Sequence, residues 1–260
     1  MSETKETLFG CYDALLALVE DLSADEWDVQ SYCPAWTVRG VVGHLVGVEY
    51  SLLGWVPVEG EKSLPFGKVA EFEEMAQGWS NEEWVEQTKT ILNQRRDEVS
   101  TMDPAVFEGW AMTPVGEGTY RRFMDIRVFD FWVHQRDMCM PLGRETDDTG
   151  AAAEVALDEV HNSIGYIAGK KIGLPDQASI AIELAGPVQR NIYAKVDGRA
   201  AKVDSLDGEP TVTLTTDSTT FIMLACGRID PQTMIDQGKI SWTGDAELGD
   251  RAARNLAFTM

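Results

Sequence analysis

The sequence predicts a helical bundle followed by a smaller α+β module, and its hydrophobic pattern marks the division between them. Through the first two thirds of the chain, apolar residues recur every three or four positions, as on amphipathic helices. After Pro175 apolar and polar residues alternate instead, in residues 179–184 and 191–196, which is typical of strands. Asp197 and Gly198 follow at once and are a strong hairpin signal. We therefore expect two domains, residues 1–174 and 175–260.

The first domain is predicted to contain four or five helices joined by loops. Thr37 and Ser80 are candidate N-caps, and the sequence Ser80–Glu83 has the pattern of a capping box. The predicted segments are a helix over 8–22, a helix from 37 to about 54, a connection over 55–67, a helix from 81 to about 102, a loop over 109–118, a central helix over 125–137 and a helix over 154–168. Helices of this length favour a four-helix bundle with its site in the core.

The second domain is predicted to have its strands first and its helices after them. Residues 200–204 continue the hairpin, and residues 210–216 are rich in the β-branched side chains that strands prefer. Asp217 or Ser218 caps a helix over 220–226, which Gly227 closes, and a last helix spans about 246–257. This order of elements indicates an α+β module.

The central helix carries four ionisable residues on one stripe. Arg127, Asp130, His134 and Asp137 are spaced by three and four positions, so they share one face of a helix. Aromatic and aliphatic residues fill most of the remaining surface, and a helix that is apolar nearly all round is a buried one. Buried ionisable groups need partners or a metal. Two interpretations stay open, namely a hydrogen-bonded core pair and a metal site that uses Asp130 and His134.

A second helix brings another histidine onto an apolar face. His44 lies on the same stripe as Val41, Val48 and Leu52. Two imidazoles and one carboxylate form a three-ligand set typical of catalytic zinc, with a fourth position left open. The chain has three histidines, and the third, His161, is predicted to be structural or at the surface. From the residues alone, the metal site and the core pair are equally supported.

Composition excludes several classes of function. The chain has 260 residues and a formal net charge of −21, which disfavours binding to nucleic acid or to an anionic membrane surface. The sequence contains no apolar run long enough to span a bilayer and no segment like a signal peptide, so we expect a cytoplasmic protein. Its four cysteines are scattered and are most simply free thiols. Cys33 lies just before the His44 helix and is a minor candidate for a site role.

Three stretches together resemble a known family. They are Cys33-Pro-Ala-Trp36-Thr-Val with His44-Leu45 behind it, then Arg127 to Asp137, and then a C-terminal run with Thr211-Val-Thr-Leu, Gly227-Arg228 and Gly238 to Asp245. In this order they resemble the mycothiol-dependent maleylpyruvate isomerase family of actinobacteria. The resemblance implies a DinB-like metal-binding bundle followed by a sterol-carrier-like α+β domain, and it covers nearly the whole chain.

The resemblance also implies a set of site residues and a thiol cosubstrate. His44, Asp130 and His134 would bind zinc, although the family pattern has Glu where this chain has Asp130, which leaves the identity of the metal open. Mycothiol would be the thiol that the zinc activates, and Arg228 would bind a carboxylate of the substrate. An equally supported interpretation is that the positive charge of Arg228 interacts favourably with the C-terminal end of its helix dipole. Arg127 and Asp137 would orient the ligands or form a plain ion pair.

Two classes of function follow from these residues. The first is a mycothiol-dependent zinc enzyme, either an isomerase that acts on a cis double bond or a thiol S-transferase that acts on a small electrophile. The second is a non-catalytic protein in which a metal-stabilised bundle accompanies a module that binds a small apolar or anionic ligand. Turnover that depends on a thiol separates the two classes.

Overall fold

The computed structural model describes residues 2–259, which divide into two compact units between Thr146 and Asp147. The first unit is mainly helical and the second combines a sheet with helices. The predicted fold class, a helical bundle followed by an α+β module, is therefore confirmed. Among the described residues, no helix is both long and apolar enough to cross a membrane.

The first unit is built from helices whose ends match the predicted capping signals. Its helices are α1 (Glu3–Asp21), a 3-10 turn (Glu26–Asp28), α2 (Val38–Leu52), α3 (Val69–Ala76), α4 (Asn81–Thr101), α5 (Pro104–Phe107) and α6 (Tyr120–Cys139). The Thr37 hydroxyl accepts the backbone N–H of Gly40, and Ser80 and Glu83 form a complete capping box. Satisfying these N–H groups fixes where α2 and α4 begin.

The interior of this unit contains a carboxylate that joins the helices. Glu49 of α2 is fully buried and accepts hydrogen bonds from Tyr12 Oη at 2.7 Å, Arg95 Nε at 3.1 Å and Arg127 Nε at 2.9 Å. Those three donors lie on α1, α4 and α6. Glu49 therefore ties together the four long helices of the unit, and neither it nor Arg95 was predicted from the sequence.

Two parts of this unit differ from the sequence prediction. The predicted loop over residues 109–118 is in fact a hairpin of β1 (Trp110–Thr113) and β2 (Gly116–Thr119). The chain reverses there because Gly116 takes a φ of 113°, which glycine adopts without strain. Helix α3 was not predicted, since it is short and only two of its residues, Phe72 and Ala76, are buried.

The second unit combines a mixed sheet with short helices. Its elements are α7 (Gly150–Asn162), α8 (Ile164–Tyr166), a π-helical turn (Ile167–Ile172), β3 (Ser179–Ala185), β4 (Arg190–Asp197), β5 (Arg199–Val203), β6 (Val212–Asp217), α9 (Ser218–Ala225), α10 (Pro231–Asp236), β7 (Ile240–Gly244) and α11 (Ala246–Arg254). In the described residues the strands pair in the order β5-β4-β3-β6-β7, and β3 and β6 are the parallel pair. The predicted hairpin, the Asp217 cap and the closure at Gly227 are all present, whereas α10 and β7 were not predicted.

The division between the units lies earlier than the predicted boundary at residues 174 and 175. Helix α7 packs against α9, and α8 packs against β5, so both belong with the sheet. Gly165 allows α8 to approach β5 closely, because a Cβ at this position would lie 3.3 Å from Ala201 Cα. The sequence pattern marks the change from helical to strand periodicity, whereas the division follows the packing of α7 and α8.

Two glycine-to-alanine substitutions in helices test the packing, because we expect them to change the stability in opposite directions. A Cβ at Gly249 of α11 would overlap the indole of Trp242, whereas a Cβ at Gly10 of α1 would meet nothing within 4 Å. Gly249→Ala should therefore lower the free energy of unfolding by about 1–3 kcal/mol. Gly10→Ala, in an exposed part of a helix, should raise it by about 0.5–1 kcal/mol. Urea unfolding measures both, and an unchanged stability for Gly249→Ala would show that the Trp242 packing is not tight.

Candidate metal centre

Two helices bring the three predicted ligands together. Asp130 and His134 lie one turn apart on α6, and His44 lies on α2. The His44 Nε2 atom is 3.3 Å from Asp130 Oδ2, and His134 Nε2 is 3.4 Å from Asp130 Oδ1. One potential ligand atom from each residue lies within 4.8 Å of the other two. The carboxylate therefore stands between two imidazoles, as both interpretations of the sequence require.

The spacing of these atoms suits a tetrahedral ion. Metal–ligand bonds of about 2.1 Å at tetrahedral angles separate the ligand atoms by roughly 3.4 Å. Each imidazole lies at about this distance from Asp130, His44 from Oδ2 and His134 from Oδ1. Two nitrogens and one oxygen are also a donor set that zinc accepts. The side chains of His44 and Asp130 are 28% and 25% exposed, whereas that of His134 is 6% exposed. The residues fit a divalent ion, and the centre opens toward solvent at His44 and Asp130.

The opposite side of His134 is held by a buried carboxylate. Asp137 Oδ2 lies 2.8 Å from His134 Nδ1 and accepts the thiol of Cys33 at 3.1 Å. A carboxylate at Nδ1 fixes that nitrogen as the protonated one, which points the Nε2 lone pair toward a metal. The stripe predicted from the sequence therefore has a second carboxylate at its far end, where it can orient the imidazole.

Cys33, His134 and Asp137 are themselves a second group with metal-ligand chemistry. All three are buried, and the Cys33 sulfur lies 3.7 Å from His134 Nδ1. This group shares its imidazole with the His44 centre and is enclosed, whereas the His44 centre is partly exposed. A substrate can reach only an exposed centre, so the His44 group is the better candidate for chemistry.

A half-exposed tryptophan covers one face of His44. The indole of Trp36 stacks on the imidazole with ring centroids 4.9 Å apart and an angle of 23° between the planes. Gly40 makes room for it, because a Cβ at Gly40 would lie 2.9 Å from Trp36 Cβ. The loop that carries Trp36 is fixed by Gln30, whose Nε2 donates to the carbonyl oxygens of Cys33 and Trp36. Trp36 thereby restricts the orientation of His44.

Charges inside the bundle shift the pKa values of Asp130 and His134 strongly. Burial by itself raises the pKa of Asp130, but Arg127 and His134 outweigh it and hold that pKa well below its usual value. Burial lowers the pKa of His134, but Asp130 and the hydrogen bond to Asp137 raise it well above its ordinary value. When no metal is bound, these pKa shifts favour a protonated His134 and an ionised Asp130. This charged pair is the hydrogen-bonded core pair that the sequence left open.

Arg127 contacts the same carboxylate as the histidines. Its Nη1 donates to Asp130 Oδ2, while its Nε donates to Glu49. Arg127 thus pairs with Glu49 and Asp130, whereas the sequence left open a plain ion pair with Asp137. The sequence signal that was missed is Glu49 itself, the one charged residue in the second half of α2.

The remaining sequence candidates lie in the second unit. Arg228 follows Gly227 at the end of α9, and its Nη1 donates to the carbonyl of Cys226 at 3.0 Å. It lines a cavity of about 310 Å³ together with Asp230 and Arg254. The contact with Cys226 is one that the helix-end interpretation predicts. His161 lies half-buried on α7, where burial and then Lys202 lower its pKa.

Comparisons with known proteins identify the family. Residues 10–139 match the profile of the mycothiol maleylpyruvate isomerase N-terminal domain, and residues 154–251 match the C-terminal domain of the same family. No curated protein sequence matches the chain significantly.

Solved structures share the fold at low sequence identity. A crystal structure of the mycothiol-dependent maleylpyruvate isomerase covers 87% of this chain and 89% of its own, with a TM-score of 0.62 and 14% identity. The match to a histidine-to-alanine variant of that enzyme covers 94% of this chain and 93% of the variant's chain, with a TM-score of 0.63 and 13% identity. With both domains matched in order, the chain belongs to the mycothiol maleylpyruvate isomerase family.

Proposed function

We propose that this protein is a metal-dependent enzyme that activates mycothiol for attack on a small anionic electrophile. The observation that carries the proposal is the convergence of His44, Asp130 and His134 around one partly exposed point. Membership of the family supports mycothiol as the thiol. The reaction is either cis–trans isomerisation of a substrate such as maleylpyruvate or S-transfer to an electrophile.

The chain's own residues hold the metal and leave a position for the thiol. His44, Asp130 and His134 would supply three ligands, which would leave one position of a four-coordinate ion for the thiol. Bound there, such an ion, most simply zinc, would supply a positive charge that lowers the pKa of a thiol, so that the thiolate would form at neutral pH. Asp137 holds the Nδ1 proton of His134, and Trp36 holds the ring of His44. Both imidazoles are therefore oriented before the thiol arrives, which reduces the cost of assembling the site.

The isomerisation needs the thiol but does not consume it. The thiolate adds to one carbon of the cis double bond, and the π electrons of that bond move onto the conjugated carbonyl as an enolate. The former double bond is now a single bond and rotates. Elimination of the thiolate from that carbon restores the double bond in its trans form. A cation that holds a carboxylate of the substrate keeps it in place through both steps. Arg228 is our candidate, because a guanidinium offers a carboxylate two parallel donors.

Metal content tests the ligand assignment. The purified protein should contain about one divalent ion per chain, and His44→Ala or His134→Ala should abolish tight binding because two ligands do not retain a divalent ion well. His161→Ala is the matched control, and it should keep full occupancy. Elemental analysis after dialysis gives the measurement. Full occupancy in both ligand variants would place the metal elsewhere, while a metal-loaded protein without mycothiol-dependent turnover would favour the non-catalytic binding protein.

Activity tests the role of Arg228. Arg228→Ala should leave metal content and folding nearly intact and lower turnover by roughly one to three orders of magnitude, since a lost charged hydrogen bond costs a few kcal/mol. Arg254→Ala, on the same cavity, is the matched control and should keep most of the activity. The helix-end interpretation expects the opposite outcome for Arg228→Ala, which is a small loss of stability and unchanged turnover.

A further inference from the structure

A series of charges alternates in sign from Glu98, at an exposed end, through the core of the bundle to Asp130 of the candidate metal centre. Glu98 pairs with Arg95 at 2.8 Å, Arg95 pairs with Glu49 at 3.1 Å, and Glu49 pairs with Arg127 at 2.9 Å. Arg127 then contacts Asp130. Because the middle of this series is buried, its charges are poorly screened and act strongly on their neighbours.

Arg127 is placed to compete with a cation for the carboxylate. It occupies Asp130 Oδ2, and a carboxylate oxygen that accepts a charged hydrogen bond gives less of its charge to a metal. The guanidinium is also a fixed positive charge beside the position of a divalent ion, and it repels that ion.

Glu49 fixes Arg127 in that position and offsets part of its charge. Its Oε1 accepts from Arg127 Nε, while a second donor of the same guanidinium, Nη2, bonds the carbonyl oxygen of Leu45 at 3.3 Å. Arg127 therefore has little freedom to move away from Asp130, and the repulsion that a metal feels depends on whether Glu49 keeps its charge.

We propose that Arg127 and Glu49 form a counter-charge pair that sets the metal affinity of the centre, with Arg127 weakening it and Glu49 restoring it. This inference rests on the proposed function, because it assumes that His44, Asp130 and His134 bind the ion. The pair has a use in catalysis, since Arg127 draws charge from Asp130 and leaves more positive charge for an anionic thiolate in the open position. It also keeps Asp130 paired while the protein holds no metal.

Two substitutions that remove charges of opposite sign test the proposal by their effects on zinc affinity. Arg127→Gln removes the competing charge and should tighten zinc binding by about tenfold or more, while Arg95 and Tyr12 still satisfy Glu49. Glu49→Gln removes the offsetting charge and should weaken zinc binding by about tenfold or more. Glu98→Gln, at the exposed end of the series, is the matched control and should leave the affinity unchanged. Competition with a chromophoric zinc chelator measures all three dissociation constants.

The alternative is that Arg127 merely orients Asp130. Both Arg127→Gln and Glu49→Gln would then weaken zinc binding, and that result would overturn the proposal. If either single variant fails to fold, the double variant Glu49→Gln/Arg127→Gln, which keeps the net charge, should bind zinc at least as tightly as the unsubstituted protein. Weaker binding by the double variant would likewise overturn it. An unsubstituted protein that binds no zinc would instead refute the proposed function.

Discussion

The helical unit depends on the burial of one carboxylate, Glu49. A carboxylate without solvent is costly unless charged hydrogen bonds replace its hydration. Glu49 has three such partners, and each is on a different helix. Burial alone raises its pKa, but Arg127 and Arg95 reverse this and leave the pKa below its ordinary value. Losing α1, α4 or α6 would take away one of the hydrogen bonds that offset the burial of this charge, which links the packing of all four helices.

The same interaction connects the packing of the bundle to its candidate metal centre. Glu49 follows His44 by five residues on α2, and Arg127 precedes Asp130 by three on α6. The pair between Glu49 and Arg127 therefore joins the two helices that carry the ligands. A metal centre needs its ligands held within a few tenths of an ångström, and rigid helices joined by buried hydrogen bonds provide this. Stability and site geometry consequently depend on the same contacts in this unit.

The candidate ligands could be singled out from the sequence because they obey local rules, whereas their charged partners do not. Asp130 and His134 are neighbours on any helix at their spacing, and His44 lies on a stripe of buried aliphatic residues. The pairing of Glu49 with Arg95 and Arg127 joins residues 46 and 78 positions apart, and no local pattern predicts such a pairing. The hairpin at 110–119 and strand β7 were missed for a similar reason, since a short strand is defined by its partner.

The family pattern that the sequence resembles has Glu where this chain has Asp130, and the structure shows that the shorter side chain still reaches both imidazoles. The Asp130 carboxylate already lies 3.3–3.4 Å from both imidazoles. One more methylene would move its oxygens by about 1.5 Å, away from the helix that also carries Arg127. The short side chain stays within reach of both the histidines and the guanidinium. Asp130 therefore reaches both candidate ligand histidines while it accepts a hydrogen bond from a buried arginine.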